Sequence, residues 1–164
     1  MFLNIIYGIV IVLSVFKITN LISYNLMKKN VLERQKWNLN ICCGKTDGGG
    51  INADIIKHKE VNNFVLINNI YRLPFEDNQF ETVLSSHTIE HVDDPEAFWQ
   101  ELSRVGKKVK LVLPPLWDIT AAFNVLEHKW LFLTFKKEHK TLPTYIRLPL
   151  ALWLQDKIGQ RIHA

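Results

Sequence analysis

The stretch Thr82-Val83-Leu84-Ser85-Ser86-His87-Thr88-Ile89-Glu90-His91-Val92-Asp93-Asp94-Pro95 begins as an apolar run and ends on an acidic pair before proline. Thr82–Ser86 reads as a short buried strand. Asp93-Asp94-Pro95 reads as a helix start, with an acidic N-cap and proline at the first helical position, where a missing N–H costs nothing. The helix is predicted to run to Val105, before Gly106, with Phe98, Leu102 and Val105 on one face that should lie on a sheet. Val109–Leu113 follows as a second buried strand. Strand, helix and strand in this order make a βαβ unit, which requires parallel pairing and an α/β fold.

Working outward, Leu39–Cys43, Ile51–Ile55 and Phe64–Ile67 are further short apolar runs bounded by turn residues. Four of the seven glycines fall between positions 44 and 50. A glycine-rich turn after a first strand lets backbone approach a ligand closely, and an acidic residue ending the second strand, here Asp54, can accept hydrogen bonds from a ribose. Only six residues separate Gly44 from Ile51, too few for a crossover helix. One sheet face is therefore expected to lack its usual cover, unless the N-terminal helix supplies it. The expected fold class is α/β: a Rossmann-like, mainly parallel sheet with few crossover helices, plus an N-terminal hydrophobic helix.

The segment Leu73-Pro74-Phe75-Glu76-Asp77-Asn78-Gln79-Phe80, the strand after it, His87-Thr88-Ile89-Glu90-His91 and the acidic-Pro helix start together resemble the class I S-adenosylmethionine-dependent methyltransferases, in a minimal form. The order holds from Leu39 to Pro115. Leu39–Gly44 and Asn52–Asp54 resemble the type 11-like branch that writes its first motif LNLGCG followed by N-x-D. The resemblance implies S-adenosylmethionine as cofactor and a pocket at the carboxyl ends of the strands. It implies cofactor contacts from Asn40, Cys42 and Gly44 along the methionine end, Asp54 at the ribose, Asn69 and Ile70 at the adenine, and Ser86 and His87 toward the methyl. Where a base is needed, His87 comes first and His91 second, because histidine titrates near neutrality. Two positions depart from the pattern: Cys42 stands for glycine, and Asn69 for aspartate.

Residues 1–36 are expected to form a hydrophobic helix and linker, 37–115 the cofactor-binding core, and 116–164 an aromatic and basic segment that completes the domain or shapes the acceptor site. Phe2 to Phe16 is an uncharged run of 15 residues, short of the ~20 needed to span a bilayer unless Lys17 snorkels or Ile18 to Leu26 extends it. It lacks the basic flank and small-residue cleavage site of a signal peptide. Lys28, Lys29, Arg34 and Lys36 would place the domain on the cytoplasmic side of a membrane. The alternative is a cytoplasmic protein whose Ile18, Leu21, Ile22 and Leu26 form an apolar face packed on the domain.

The 164 residues are 48% apolar and 22% charged, which fits one globular domain with an appendage and excludes a disordered chain. Adjacent Cys42 and Cys43 suit free thiols in a reduced compartment. The net charge of +4 comes from scattered lysines with no basic run between aromatics, so nucleic acid is not an expected partner. The expected partners are a small-molecule or lipid-like methyl acceptor and a membrane. A non-catalytic protein of the same fold, binding a partner or membrane lipid, is the main rival, since fold alone does not secure function. His87-x-x-Glu90-His91 also fits the inverted zinc-peptidase pattern, which requires a helix through all five residues and a further carboxylate. Glu101, Glu127 and Glu138 offer no matching context, so no metal ligand is assigned. The stretch Ile146–Leu154 suits either core packing or a membrane interface.

Overall fold

A computed structural model describes residues 2–158; residue 1 and residues 159–164, the ends of the first and last expected segments, lie outside the described residues. Helix α1 (Phe2–Leu21) runs through a π-helical stretch, Ile22–Lys28, into α2 (Lys29–Glu33). Then follow β1 (Trp37–Ile41), β2 (Gly49–Asp54), β3 (Phe64–Leu66), β4 (Val83–Ser86), α3 (Pro95–Val105) and β5 (Val109–Val112). The chain continues with α4 (Ile119–Ala122), β6 (Trp130–Phe132), β7 (Glu138–His139), β8 (Tyr145–Arg147) and α5 (Ala151–Lys157).

Six strands form one sheet in the order β3-β2-β1-β4-β5-β7. The first five are parallel, and β7 joins β5 antiparallel, pairing Leu111 with His139 and Val112 with Glu138. The order reverses between β1 and β4, the point at which open α/β sheets bind ligands beyond their carboxyl ends. Strand β7 supplies a final antiparallel strand that the sequence after Pro115 did not reveal. Its two residues are too short for a period to be read. Strands β6 and β8 pair apart from the sheet.

Helix α3 starts and stops as its residues dictate. Asp94 caps it by accepting from the Ala97 N–H at 3.0 Å, and Gly106 ends it. Phe98, Leu102 and Val105 are fully buried against Leu39, Ile41, Val83 and Leu111. The return from β1 to β2 has no helix. Asn52 laces it instead, its Oδ1 accepting from Gly48 N and Asn40 Nδ2 while its Nδ2 donates to Asp47 Oδ1. The glycines make this short return fit: a Cβ on Gly48 would stand 2.7 Å from the Asn40 side chain, and one on Gly50 would stand 2.3 Å from the Trp37 carbonyl oxygen.

The second sheet face is covered from the N-terminus. Val31 of α2 is 1% exposed against Trp37, Leu84 and Val112, and the Trp37 indole donates to the Val31 carbonyl at 3.1 Å. The expected apolar packing face is not the one used. Ile18, Leu21, Ile22 and Leu26 are 40–65% exposed, whereas Asn20 donates to Asp118 and Ser23 is buried. The domain presents buried polar groups at this point, so polar residues of the helix dock there. The helix from Leu3 to Glu33 is long and apolar enough to cross a membrane, and none of its most apolar window is buried.

Candidate functional site

Strand β1 ends at Ile41 and the backbone turns sharply, Cys42 and Gly44 both taking positive φ (51° and 57°). Nothing stands within 4 Å of where a Cβ on Gly44 would lie. The Gly44 N–H donates to Asp54 Oδ2 at 2.8 Å, and Ile55 N–H donates to Oδ1 at 2.8 Å. The carboxylate that ends β2 thus fixes the shape of the loop that ends β1. Beside them, Ser85 and Ser86 close β4 with buried hydroxyls that have no partner.

A cavity of about 360 Å³ opens here, lined by Cys42, Cys43, Gly44, Lys45, Thr46, Ser86 and His87, and roofed by Tyr24 and Lys28 of the N-terminal helix. A second cavity, of about 440 Å³, is lined by Asn20, Tyr24, His87, His91, Asn124 and His128, among others. The two meet at Tyr24 and His87, whose rings stack edge to face at 5.3 Å. A larger cavity of about 580 Å³ lies at the opposite strand ends among Arg34, Lys107, Lys108 and Lys110, remote from these groups.

Electrostatically the shared wall is a chain of buried groups. Lys137 donates to Ser23 Oγ at 2.9 Å and to His87 Nε2 at 2.8 Å, and His87 Nδ1 lies 3.3 Å from Glu90 Oε1. Burial pushes the Lys137 ammonium down to about 8 and the His87 imidazole down to about 4, so His87 is neutral at neutral pH. Burial works against a charge on Glu90, but the surrounding imidazoles of His87, His128 and His91 outweigh it and hold the carboxylate. Burial also lowers His128. The thiols of Cys42 and Cys43 are free, and burial pushes both upward, Cys43 to about 11.

The structure gathers Cys42, Gly44, Ser86 and His87 on one cavity, and places His91 in the second. Asn40 stands behind the loop, donating to the Thr46 carbonyl oxygen. Asp54 stands behind Gly44. Asn69 and Ile70 do not line this cavity: Ile70 is buried, and Asn69 Oδ1 accepts from Tyr71 N–H in a turn. The segment 87–91 is a turn and not a helix, since His87 takes φ 55° and the helix begins only at Pro95; the zinc-peptidase arrangement is therefore not formed. Much of the Leu73–Phe80 motif is held for architecture. Arg104 donates to the carbonyl oxygens of Leu73 and Phe75 and to Asp77, while Glu101 accepts from Leu73 N–H. Ser23, Tyr24, His128 and Lys137 were not readable as site residues, because only the fold brings such distant segments to the ends of β1 and β4.

No curated protein matches the chain. Among solved structures it is similar to an S-adenosylmethionine-dependent methyltransferase from Thermotoga maritima (19% identity, TM-score 0.43, 70% of this chain and 59% of that one). It is also similar to the YcgJ protein of Bacillus subtilis (22%, 0.43, 65% and 60%) and to an S-adenosylmethionine-dependent methyltransferase from Aquifex aeolicus (15%, 0.40, 65% and 78%). The chain spans about three fifths of the length of the first two. Residues 48–112 match the family model of the type 11 methyltransferase domain. That match takes in β2 to β5 and α3, and over this segment the chain is similar to the type 11 methyltransferase domain.

Proposed function

We propose that the chain is an S-adenosylmethionine-dependent methyltransferase whose cofactor sits in the cavity at Cys42–Thr46 and whose acceptor enters the neighbouring one. The observation that carries this reading is the meeting of the two cavities at Tyr24 and His87, beyond the carboxyl ends of β1 and β4. The bound cofactor supplies an electrophilic methyl group on a sulfonium sulfur. The positive φ of Gly44 and the open space beside it admit close backbone approach. Asp54 has one backbone N–H on each oxygen, so lone pairs remain for a ribose. Ser86 has a buried hydroxyl still without a partner and Cys42 lines the same cavity, whereas Asn40 stands behind the loop and the expected adenine contacts Asn69 and Ile70 lie outside this cavity. Both His87 nitrogens face polar neighbours, which suits a positioning wall between cofactor and acceptor. Holding two reactants in line supplies much of the acceleration for such a transfer without an essential base.

The acceptor belongs to a small-molecule or lipid-like class. Its cavity lies where the helix Leu3–Glu33 meets the domain, and the unburied apolar part of that helix suits a membrane anchor with the domain on the cytoplasmic side. Titration calorimetry of the full chain in detergent with S-adenosylmethionine tests the cofactor reading. One equivalent should bind, and Asp54→Ala should weaken it at least tenfold with unchanged circular dichroism. Absence of binding at millimolar cofactor would leave the non-catalytic alternative in place. Retention of the full chain in alkaline-washed membranes tests the anchor, and release to the supernatant would refute it.

A further inference from the structure

Glu90 is 0% exposed, and neither carboxylate oxygen has a hydrogen-bond partner. A carboxylate buried without hydrogen-bond partners is costly, and such groups usually find a proton, a donor or a metal ion. The hydrogen bonds of the Lys137 ammonium go to Ser23 and His87 instead. Lys137 donates to His87 Nε2, so the His87 hydrogen is on Nδ1, which lies 3.3 Å from Glu90 Oε1 without hydrogen-bond alignment.

Two imidazoles converge on the same point. One ligand atom each from Glu90, His91 and His128 lies within 4.8 Å of the others. His91 Nδ1 is 2.9 Å from the Glu127 carbonyl oxygen, which can only accept; Nδ1 therefore carries the hydrogen and Nε2 keeps a lone pair. The His128 Nδ1 is buried without a partner. A ring nitrogen anchored on a backbone carbonyl, with the other left free, is how metal-bound histidines are usually oriented. The arrangement is also pre-organised: Lys129 N–H and Trp130 N–H both donate to the Glu90 carbonyl oxygen, at 2.8 and 3.2 Å, locking the His128 segment to the 87–91 turn. Because 87–91 is a turn, the adjacent Glu90 and His91 can face one point, which a helix forbids.

We propose that Glu90, His91 and His128 bind one divalent transition-metal ion beside the second cavity. Donors ~2.1 Å from a tetrahedral ion stand ~3.4 Å apart, so side-chain shifts of about 1 Å close the observed set. The ion neutralises the Glu90 charge and takes up the two free imidazole nitrogens. Two nitrogens and one oxygen suit zinc or manganese better than calcium or magnesium, which favour all-oxygen shells. Three protein ligands leave a coordination position open, as in sites that polarise a bound oxygen, and the cavity lined by His91, His128 and Asn124 adjoins it. The zinc-peptidase pairing of His87 with His91 is not this site: here the second imidazole comes from His128, 37 residues on. The inference does not rest on methyl transfer and stands for a non-catalytic chain as well.

The test uses the full chain, purified in detergent and stripped with chelator, then titrated separately with Zn²⁺, Mn²⁺ and Mg²⁺ by calorimetry, with bound metal counted by mass spectrometry. One equivalent of Zn²⁺ or Mn²⁺ should bind. His128→Ala and His91→Asn, the latter keeping a donor for the Glu127 carbonyl, should each weaken binding at least 100-fold, while His139→Ala leaves it unchanged. Glu90→Gln should abolish binding. Uptake below a tenth of an equivalent overturns the site, as does Zn²⁺ binding retained within twofold in both histidine variants. Uptake of Mg²⁺ alone overturns the transition-metal assignment. S-adenosylmethionine titration of the same samples reports separately, so failure of the metal site and failure of the cofactor reading are distinguishable.

Discussion

The helix that emerges unburied at its N-terminal half is part of the domain at its C-terminal half, and Val31→Ala measures that difference. Val31 is 1% exposed between Trp37, Leu84 and Val112, so truncation removes two buried methyl groups. At ~0.8 kcal/mol each, with a further contribution from the cavity left behind, the loss is about 2 kcal/mol. For a domain of this size that corresponds to a drop of about 4–8 °C in Tm. Ile18→Ala, on the same helix but 54% exposed, should stay within ~0.5 kcal/mol. Both variants of the full chain are compared in one detergent by urea unfolding followed through tryptophan fluorescence. Undocking α2 also withdraws Ser23 from Lys137 and Tyr24 from His87, so Val31→Ala should weaken S-adenosylmethionine binding more than Ile18→Ala does. Equal small effects of the two substitutions would refute the assignment of residues 29–33 to the domain.

Arg104→Ala removes the donors that hold the Leu73 and Phe75 carbonyls and leaves Glu101 nearly buried without its partner; with the guanidinium one-third exposed, about 2 kcal/mol should be lost, read as a lower urea midpoint. Both thiols ionise only well above neutrality in the folded state, so iodoacetamide at pH 8 should leave Cys42 and Cys43 unmodified. Labelling should rise as pH approaches 11 or on unfolding, and modification of native protein at pH 7, seen by mass spectrometry, would contradict their burial. Cys42→Gly relieves a left-handed conformation that costs a non-glycine residue ~1 kcal/mol, so the urea midpoint should rise. If Cys42 also narrows the cofactor cavity, calorimetry should show tighter S-adenosylmethionine binding in this variant.

The strand runs at Leu39, Ile51, Phe64, Thr82 and Val109, and the helix from Pro95 to Val105, were legible because short-range chemistry decides them: apolar runs between turn residues, an Asp94 cap and a Gly106 stop. Their order alone implied parallel pairing and placed Cys42, Gly44, Ser86 and His87 at carboxyl strand ends. Tertiary structure decided the rest. Three of the four clustered glycines serve the tight return from β1 to β2, because backbone approach to Trp37 and Asn40 is visible only once the strands are paired. The docking face of the N-terminal helix is polar, at Asn20 and Ser23, because its partners Asp118 and Lys137 are 98 and 114 residues away in sequence. His128 joins Glu90 and His91 for the same reason: residues 37 apart share a site only when a fold, not a local period, brings them together.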